Sequence, residues 1–379
     1  SVNKARHNLG AGAGYGAASF SEKGRRIGMT SVLTNKTPGW HKRIALAALA
    51  VLLASCSTPP PPPVAPPPPP PPAISLSGSV VQSAANYQAY INSVAAIKAD
   101  FKSGDDVAQS LKQGDRYDPQ ELLQGAIAYS AIIALQDPTF VGSLRTFAAD
   151  PDSRQQMTRQ IFSDPNYATA IKGADTAAGL IIATLMDQGH KVEAAGEAVK
   201  QSAYDIQHEA WSKEMVADRD QRLADAKSTV GMEMLSSSDD VSTLQKEAVG
   251  AQPMSLTGQA ATPPFPPVVV RALAVAALAA LGQAGDDNVA LVKPLMADPA
   301  SATCLNMAKL NLYQCLAVSR PHYEDVFCLG QHVMMDTGQC MEYAAGAPIP
   351  VVQPLAVSKT EVSYGAKTPT KKKPAKKKS

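Results

Sequence analysis

Aromatic residues are scarce in this chain of 379: phenylalanine, tyrosine and tryptophan together make up 5%, with two tryptophans. A β-sandwich wants aromatic and β-branched side chains on its pleated faces. The shortage, beside abundant alanine, points instead to helices packed closely through small side chains. Long apolar runs are missing too. The uncharged run at 44–53 is about ten residues, too short for a bilayer core of about 30 Å, and the run at 268–281 is interrupted by Arg271. The second run reads as a buried central helix. Catalytic signatures are equally thin. There is no G-x-S-x-G and no H-E-x-x-H, and the body holds only His190, His208, His322 and His332. His208 with Asp205 and Glu209 reads as a solvated face, and Tyr323-Glu324-Asp325 either as an acidic segment local to the cysteine hairpin or as an exposed contact patch. Nothing here argues for an enzyme, and no cofactor is implied.

The overall charge of +2 conceals three unlike parts. Residues 1–55 and 358–379 carry +7 each, which leaves −12 on residues 56–357. The body is therefore acidic and the C-terminal tail basic.

Residues 41–56 read HKRIALAALAVLLASC. Lys42 and Arg43 form a positive n-region, the following apolar run has the length of a signal-peptide h-region, and Leu53-Ala54-Ser55-Cys56 closes it. This resembles the lipobox of bacterial lipoproteins. The resemblance implies cleavage before Cys56, lipidation of its thiol and anchoring in a membrane through the acyl chains. With Ser57 rather than Asp after the cysteine, it implies the outer membrane, with the body on the periplasmic side. Met29 would open an n-region of ordinary length, so residues 1–28 read as an upstream extension.

Residues 59–72 are proline apart from Val64 and Ala65. As polyproline II, at about 3.1 Å per residue, they would form a semi-rigid spacer of about 43 Å. Five Asp-Pro pairs then punctuate the body: Asp118-Pro119, Asp137-Pro138, Asp150-Pro151, Asp164-Pro165 and Asp298-Pro299. Each places an N-cap carboxylate before a proline at the first helical position, predicting helix starts near 119, 138, 151, 165 and 299. A stripe at Val192, Ala195, Val199, Ala203, Ile206 and Ala210 is core packing, opposite a solvated face of Lys200, Asp205, Glu209 and Lys213. A break is expected near Gln188-Gly189. The organisation expected is a leader and signal peptide (1–55), a lipidated cysteine with a proline-rich linker (56–79), a helical domain (80–230), a loop (231–266), a helical segment with a cysteine hairpin (267–343) and a basic tail (344–379). The fold class is mainly α: a helical bundle with a disulfide-stapled C-terminal hairpin, and with leader, proline rod and lysine-rich tail disordered.

Apart from Cys56, four cysteines remain, at 304, 315, 328 and 340. An even number in an exported chain argues for two disulfides. If 305–314 is helical, Cys304 and Cys315 stand about 16 Å apart, too far to pair at the roughly 4.4–6.8 Å a disulfide needs. The nested pairing, Cys304–Cys340 with Cys315–Cys328, is favoured. A sequential alternative is suggested by the echo of Cys-Leu after 304 and 328 against Gln-Cys before 315 and 340. The arrangement resembles the twin Cys-x9-Cys hairpins of oxidised helical proteins in construction. Zinc motifs place two cysteines two to four residues apart, which this segment does not, so a metal site with His322 and His332 is the weaker rival.

The tail carries Lys371, Lys372, Lys373, Lys376, Lys377 and Lys378 without interleaved aromatics. Charge without base stacking supports no specific nucleic-acid binding, but it suits an anionic envelope polymer. The sequence thus points to a lipid-anchored envelope protein with a structural, tethering or assembly role. A helical binding module for a protein partner or apolar ligand is the alternative, and an envelope hydrolase comes third.

Overall fold

The computed structural model describes residues 70–228 and 236–348. Cys56, prolines 59–63 and 66–69, and the six tail lysines lie outside them. The described residues form helices and turns; in place of strands there are two isolated bridges, Leu76 with Ala284 and Met215 with Pro321. The helices are α1 (Gly78–Ala95), α2 (Gly104–Gly114), α3 (Pro119–Ala134), α4 (Pro138–Ala148), α5 (Pro151–Ser163), α6 (Ala174–Asp205), α7 (Arg219–Ser228), α8 (Ser238–Ala248), α9 (Pro267–Ala280), α10 (Val289–Val292), α11 (Pro299–Val318), α12 (His322–Cys328) and α13 (Asp336–Ala344). A 3-10 helix, Pro165–Ala170, precedes α6, and a π-helix, Leu329–Met335, joins α12 to α13.

All five Asp-Pro pairs start helices. Asp118 accepts from Gln120 N at 2.8 Å and Asp137 from Phe140 N at 2.7 Å. Asp150 accepts from Ser153 N, Asp164 from Asn166 N and Asp298 from Ser301 N, at 2.8, 2.9 and 3.0 Å. Each carboxylate satisfies an orphan amide, a contribution of about 1 kcal/mol per cap.

The core is built around α3 and α9. Every residue of α9 from Val268 to Ala280 is buried except Arg271, whose Nη1 reaches Leu295 O at 3.2 Å. Alanine on both helices allows their backbones close together while valine, leucine and isoleucine fill the space between. No described helix is long and apolar enough to cross a membrane.

Three sequence expectations are corrected here. The stretch 231–266 is not loop throughout, because α8 lies within it. Ser237 and Asp240 close a reciprocal capping box, and Leu244 and Ala248 bury its inner face. The chain does not break at Gln188-Gly189; α6 runs unbroken for 32 residues. A Cβ on Gly189 would stand 2.8 Å from Gly338 O of α13, so this glycine serves a close helix crossing rather than a turn. Finally, α6 ends at Asp205, so Ile206 and Ala210 lie beyond it and Ala210 is exposed, while Lys200 turns inward to Gln331 Oε1 at 2.7 Å.

The end of the proline run is fastened to the core. Ser75 N donates to Ala279 O at 3.1 Å and Ser77 N to Ala284 O at 2.8 Å. The Arg145 guanidinium of α4 donates to the Pro71 and Pro72 carbonyls and, at 3.2 Å, to Ala280 O. Arg145 thus supplies a donor to Ala280 O at the C-terminus of α9, and Ser75 adds a second donor to Ala279 O, which also accepts from Gly282 N at 2.9 Å.

Candidate functional site: two apolar clefts along the stapled helices

The disulfides are Cys304–Cys340 and Cys315–Cys328, with Cα separations of 5.6 and 5.7 Å. Both begin on α11, about three turns apart and so on nearly the same face, and tie it to α13 and to the end of α12. Cys340 and Cys328 are buried, whereas Cys304 and Cys315 are half-buried.

α11 carries apolar residues on its inner and outer sides, the outer side also bearing exposed Asn306 and Gln314, and its inner side and C-terminal end have different neighbours. Leu305, Lys309, Leu312 and Leu316 face the core at i, i+4, i+7 and i+11. Lys309 is thus a cation in a core stripe. Its ammonium donates to Asp115 O at 2.8 Å and Asp115 Oδ1 at 2.5 Å, and it sits 4.0 Å from the centre of the Tyr117 ring. Burial pushes the Lys309 pKa below the ordinary lysine value, and Asp115 opposes that shift. At its C-terminal end α11 is closed by α7. Arg219 donates to Ala317 O at 2.7 Å and Ser319 O at 3.0 Å, while Arg222 donates to Leu316 O and grips Asp325 at 2.5 and 2.6 Å. These are cations on the orphan carbonyls of a helix C-terminus.

The outer face of α11 has no neighbour among the described residues. Met307, Leu310 and Val318 are 47%, 45% and 73% exposed. At one end this face falls into a cleft of about 460 Å³ between α11 and α13, lined by Thr303, Met307, Ala308, Tyr343 and the Cys304–Cys340 bridge; Asp336 is its only charged residue. At the other end lies a cleft of about 400 Å³ lined by Tyr204, Val318, Phe327 and the Cys315–Cys328 bridge, with Glu324 its one charge. Tyr204 and Phe327 meet edge-to-face at 6.2 Å. Both volumes fall within the roughly 300–1,000 Å³ of binding clefts.

The polar groups nearby serve as supports. Asp336 is held by His332 Nδ1 at 2.8 Å and Gln331 Nε2 at 3.0 Å, both from the π-helix. The π-helix packs on α6 so closely that a Cβ on Gly330 would stand 2.5 Å from Lys200 N.

The sequence-stated polar candidates separate. Asp325 is buried with Arg222 and accepts from Ser319 Oγ at 2.7 Å, so Tyr323-Glu324-Asp325 is not one exposed patch. Burial raises the Asp325 pKa, against Ser319 and Arg222. His208 meets Glu209 at 3.1 Å on an exposed surface. His322 lies beside Gly104 of α2 and Trp211, away from His332 and its Asp336. No His, Cys, Asp or Glu group suited to a metal gathers among the described residues.

One cluster gathers histidine with carboxylates: His190, Glu193 and Glu342, at the α6–α13 crossing. His190 Nε2 is 3.5 Å from Glu342 Oε1, and Gln339 Nε2 donates to Glu193 Oε1 at 2.6 Å. These residues do not line either of the two clefts described above. Burial first, and Glu193 second, raise the Glu342 pKa, against His190. The folded chain therefore holds the Glu342 proton more tightly than the unfolded chain does. Stability then falls as pH rises from the ordinary glutamate range through the raised pKa. Glu342→Gln is expected to flatten that slope and to raise the melting temperature near neutral pH; an unchanged slope would remove Glu342 as its source.

Comparison of the chain with protein-family models, with curated proteins and with solved structures finds no match. The functional reading therefore rests on the arrangement described above.

Proposed function

We propose that the chain is a lipid-tethered docking module of a bacterial envelope, without catalytic activity. In this reading Cys56 carries the acyl anchor in the outer membrane, the proline run holds the body off the lipid on the periplasmic side, and α11 presents an apolar face to a protein partner. Lys371–Lys373 and Lys376–Lys378 add a salt-sensitive contact with an anionic envelope polymer.

The observation that carries the reading is the outer face of α11, whose two ends open into apolar clefts. From Thr303 to Val318 the face runs about 22 Å along the helix, which suits a protein segment better than one small ligand. Asp336 and Glu324 at the two clefts favour an apolar segment with basic flanks. A solvated protein keeps few large apolar side chains together on one face unless something covers them.

A photo-reactive benzoylphenylalanine at Met307, in the full chain in an envelope fraction, tests this. Discrete adducts with another protein are expected at Met307 and not at Lys191, whose side chain is 66% exposed on α6. The same adducts at both positions would overturn the docking role.

A further inference from the structure

The α11–α13 cleft has a candidate occupant in the same chain. α13 ends at Ala344, and the described chain continues only to Pro348. From Tyr343 to Val357 no residue is charged, and residues 349–357 read IPVVQPLAV. An apolar tract of this kind, directly following the helix that forms one wall of an apolar cleft, has a short path into it.

The local geometry provides the reversal. Gly346 adopts φ +106°, the left-handed region that glycine occupies without strain, and Gly346 N and Ala347 N bond back to Tyr343 O and Glu342 O at 2.9 Å each. The helix is thereby closed and the chain turned off its axis at the Tyr343 end of the cleft. Along α13 the cleft extends from Tyr343 to Asp336, about 10 Å. Nine residues in polyproline II conformation reach about 28 Å, so the tract can line the cleft and continue onto Met307 and Leu310. Pro350 and Pro354 disfavour a further helix and suit an extended strand in a groove with an aromatic wall, here Tyr343. The tract's neutrality suits a cleft with one charge, and the lysines that follow would lie over an acidic body.

We infer that residues 349–357 occupy the α11–α13 cleft in cis, so that an external partner binds there by displacing them. This rests on reading the cleft as a docking site, but not on who the partner is. Cis occupancy follows from proximity: a tether of a few residues supplies an effective concentration in the millimolar range.

The experiment uses the purified full chain with benzoylphenylalanine at Met307, and in a second preparation at Leu310; both positions are exposed enough to leave the fold alone. After irradiation, fragment mass spectrometry is expected to place the link within 349–357 at a yield independent of protein concentration. Val351→Asp with Val352→Asp and Leu355→Asp should reduce that yield at least tenfold while leaving the helical signal unchanged. A doubled mass with concentration-dependent yield would replace the tract by a second copy. A link confined to α13, or none, would leave the cleft open in the isolated chain. Either outcome overturns cis occupancy, whereas partner adducts in the envelope fraction would still uphold docking. Loss of both signals would end both readings.

Discussion

Replacing Cys304 and Cys340 together by alanine is expected to cost about 4 kcal/mol of stability. The bridge closes a loop with a sequence separation of 36, and loop-closure entropy for that length gives about 4 kcal/mol. For a domain of this size the loss corresponds to about 8–16 °C in melting temperature. Alanine is preferred to serine because Cys340 is buried and a serine hydroxyl there would have to be desolvated. The inner bridge, Cys315–Cys328, has a separation of 13 and is worth about 3 kcal/mol by the same relation. Because each bridge shortens the loop the other closes, each single loss should fall slightly below its isolated value, and removing both should cost slightly more than the sum of the single losses. A thermal shift below about 3 °C for the outer pair would mean that α11 and α13 are held by packing rather than by the bridge.

Lys309→Met is expected to destabilise by about 3–5 kcal/mol, the usual cost of leaving a buried charge without its counter-ion. The carboxylate that loses its lysine is Asp115, whose side chain is 2% exposed beside a lysine side chain at 6% and which also accepts from the Tyr313 hydroxyl at 3.4 Å. Methionine keeps the apolar stem of Lys309 in place, so the loss reports charge rather than volume. Asp115→Asn in the Lys309→Met background should recover more than half, the remainder reflecting the lost bond to Asp115 O and the contact with Tyr117. Denaturant unfolding of the wild type, both single variants and the double variant measures the coupling. A coupling below about 0.5 kcal/mol would show the two sites to be independent.

Much of the helical framework is readable in the sequence because its signals are local. An aspartate before proline states where a helix begins whatever packs on it, and all five such pairs do so. The buried run after Val268 is equally plain, since alanine, valine and leucine with Arg271 as the one interruption leave a helix almost no wet face. The rest depends on which helix meets which. Gly189 reads as a breaker until α13 is found lying against it, and the helix in 238–248 hides in a serine-rich stretch whose capping box spans only four residues. The α11 face was the least legible part. Apolar residues lie on both sides of that helix, so its pattern names no inner side, and Lys309 looks like a candidate for solvent when it is buried in the core stripe. Met307, Leu310 and Val318 become an unpartnered surface only once the two disulfides fix the rotation of α11 against α13 and α12.

The fastening of the linker by Arg145, Ser75 and Ser77 decides how the body would respond to being pulled. Tension arriving along the prolines meets the core at the end of its most buried helix, where two backbone bonds and one guanidinium share the load. These bonds can open one after another, from Pro71 inward, before α9 itself is strained. In the tethering proposed above, a pull along the prolines would be taken up by these bonds at residues 71–77 before it reached the face of α11.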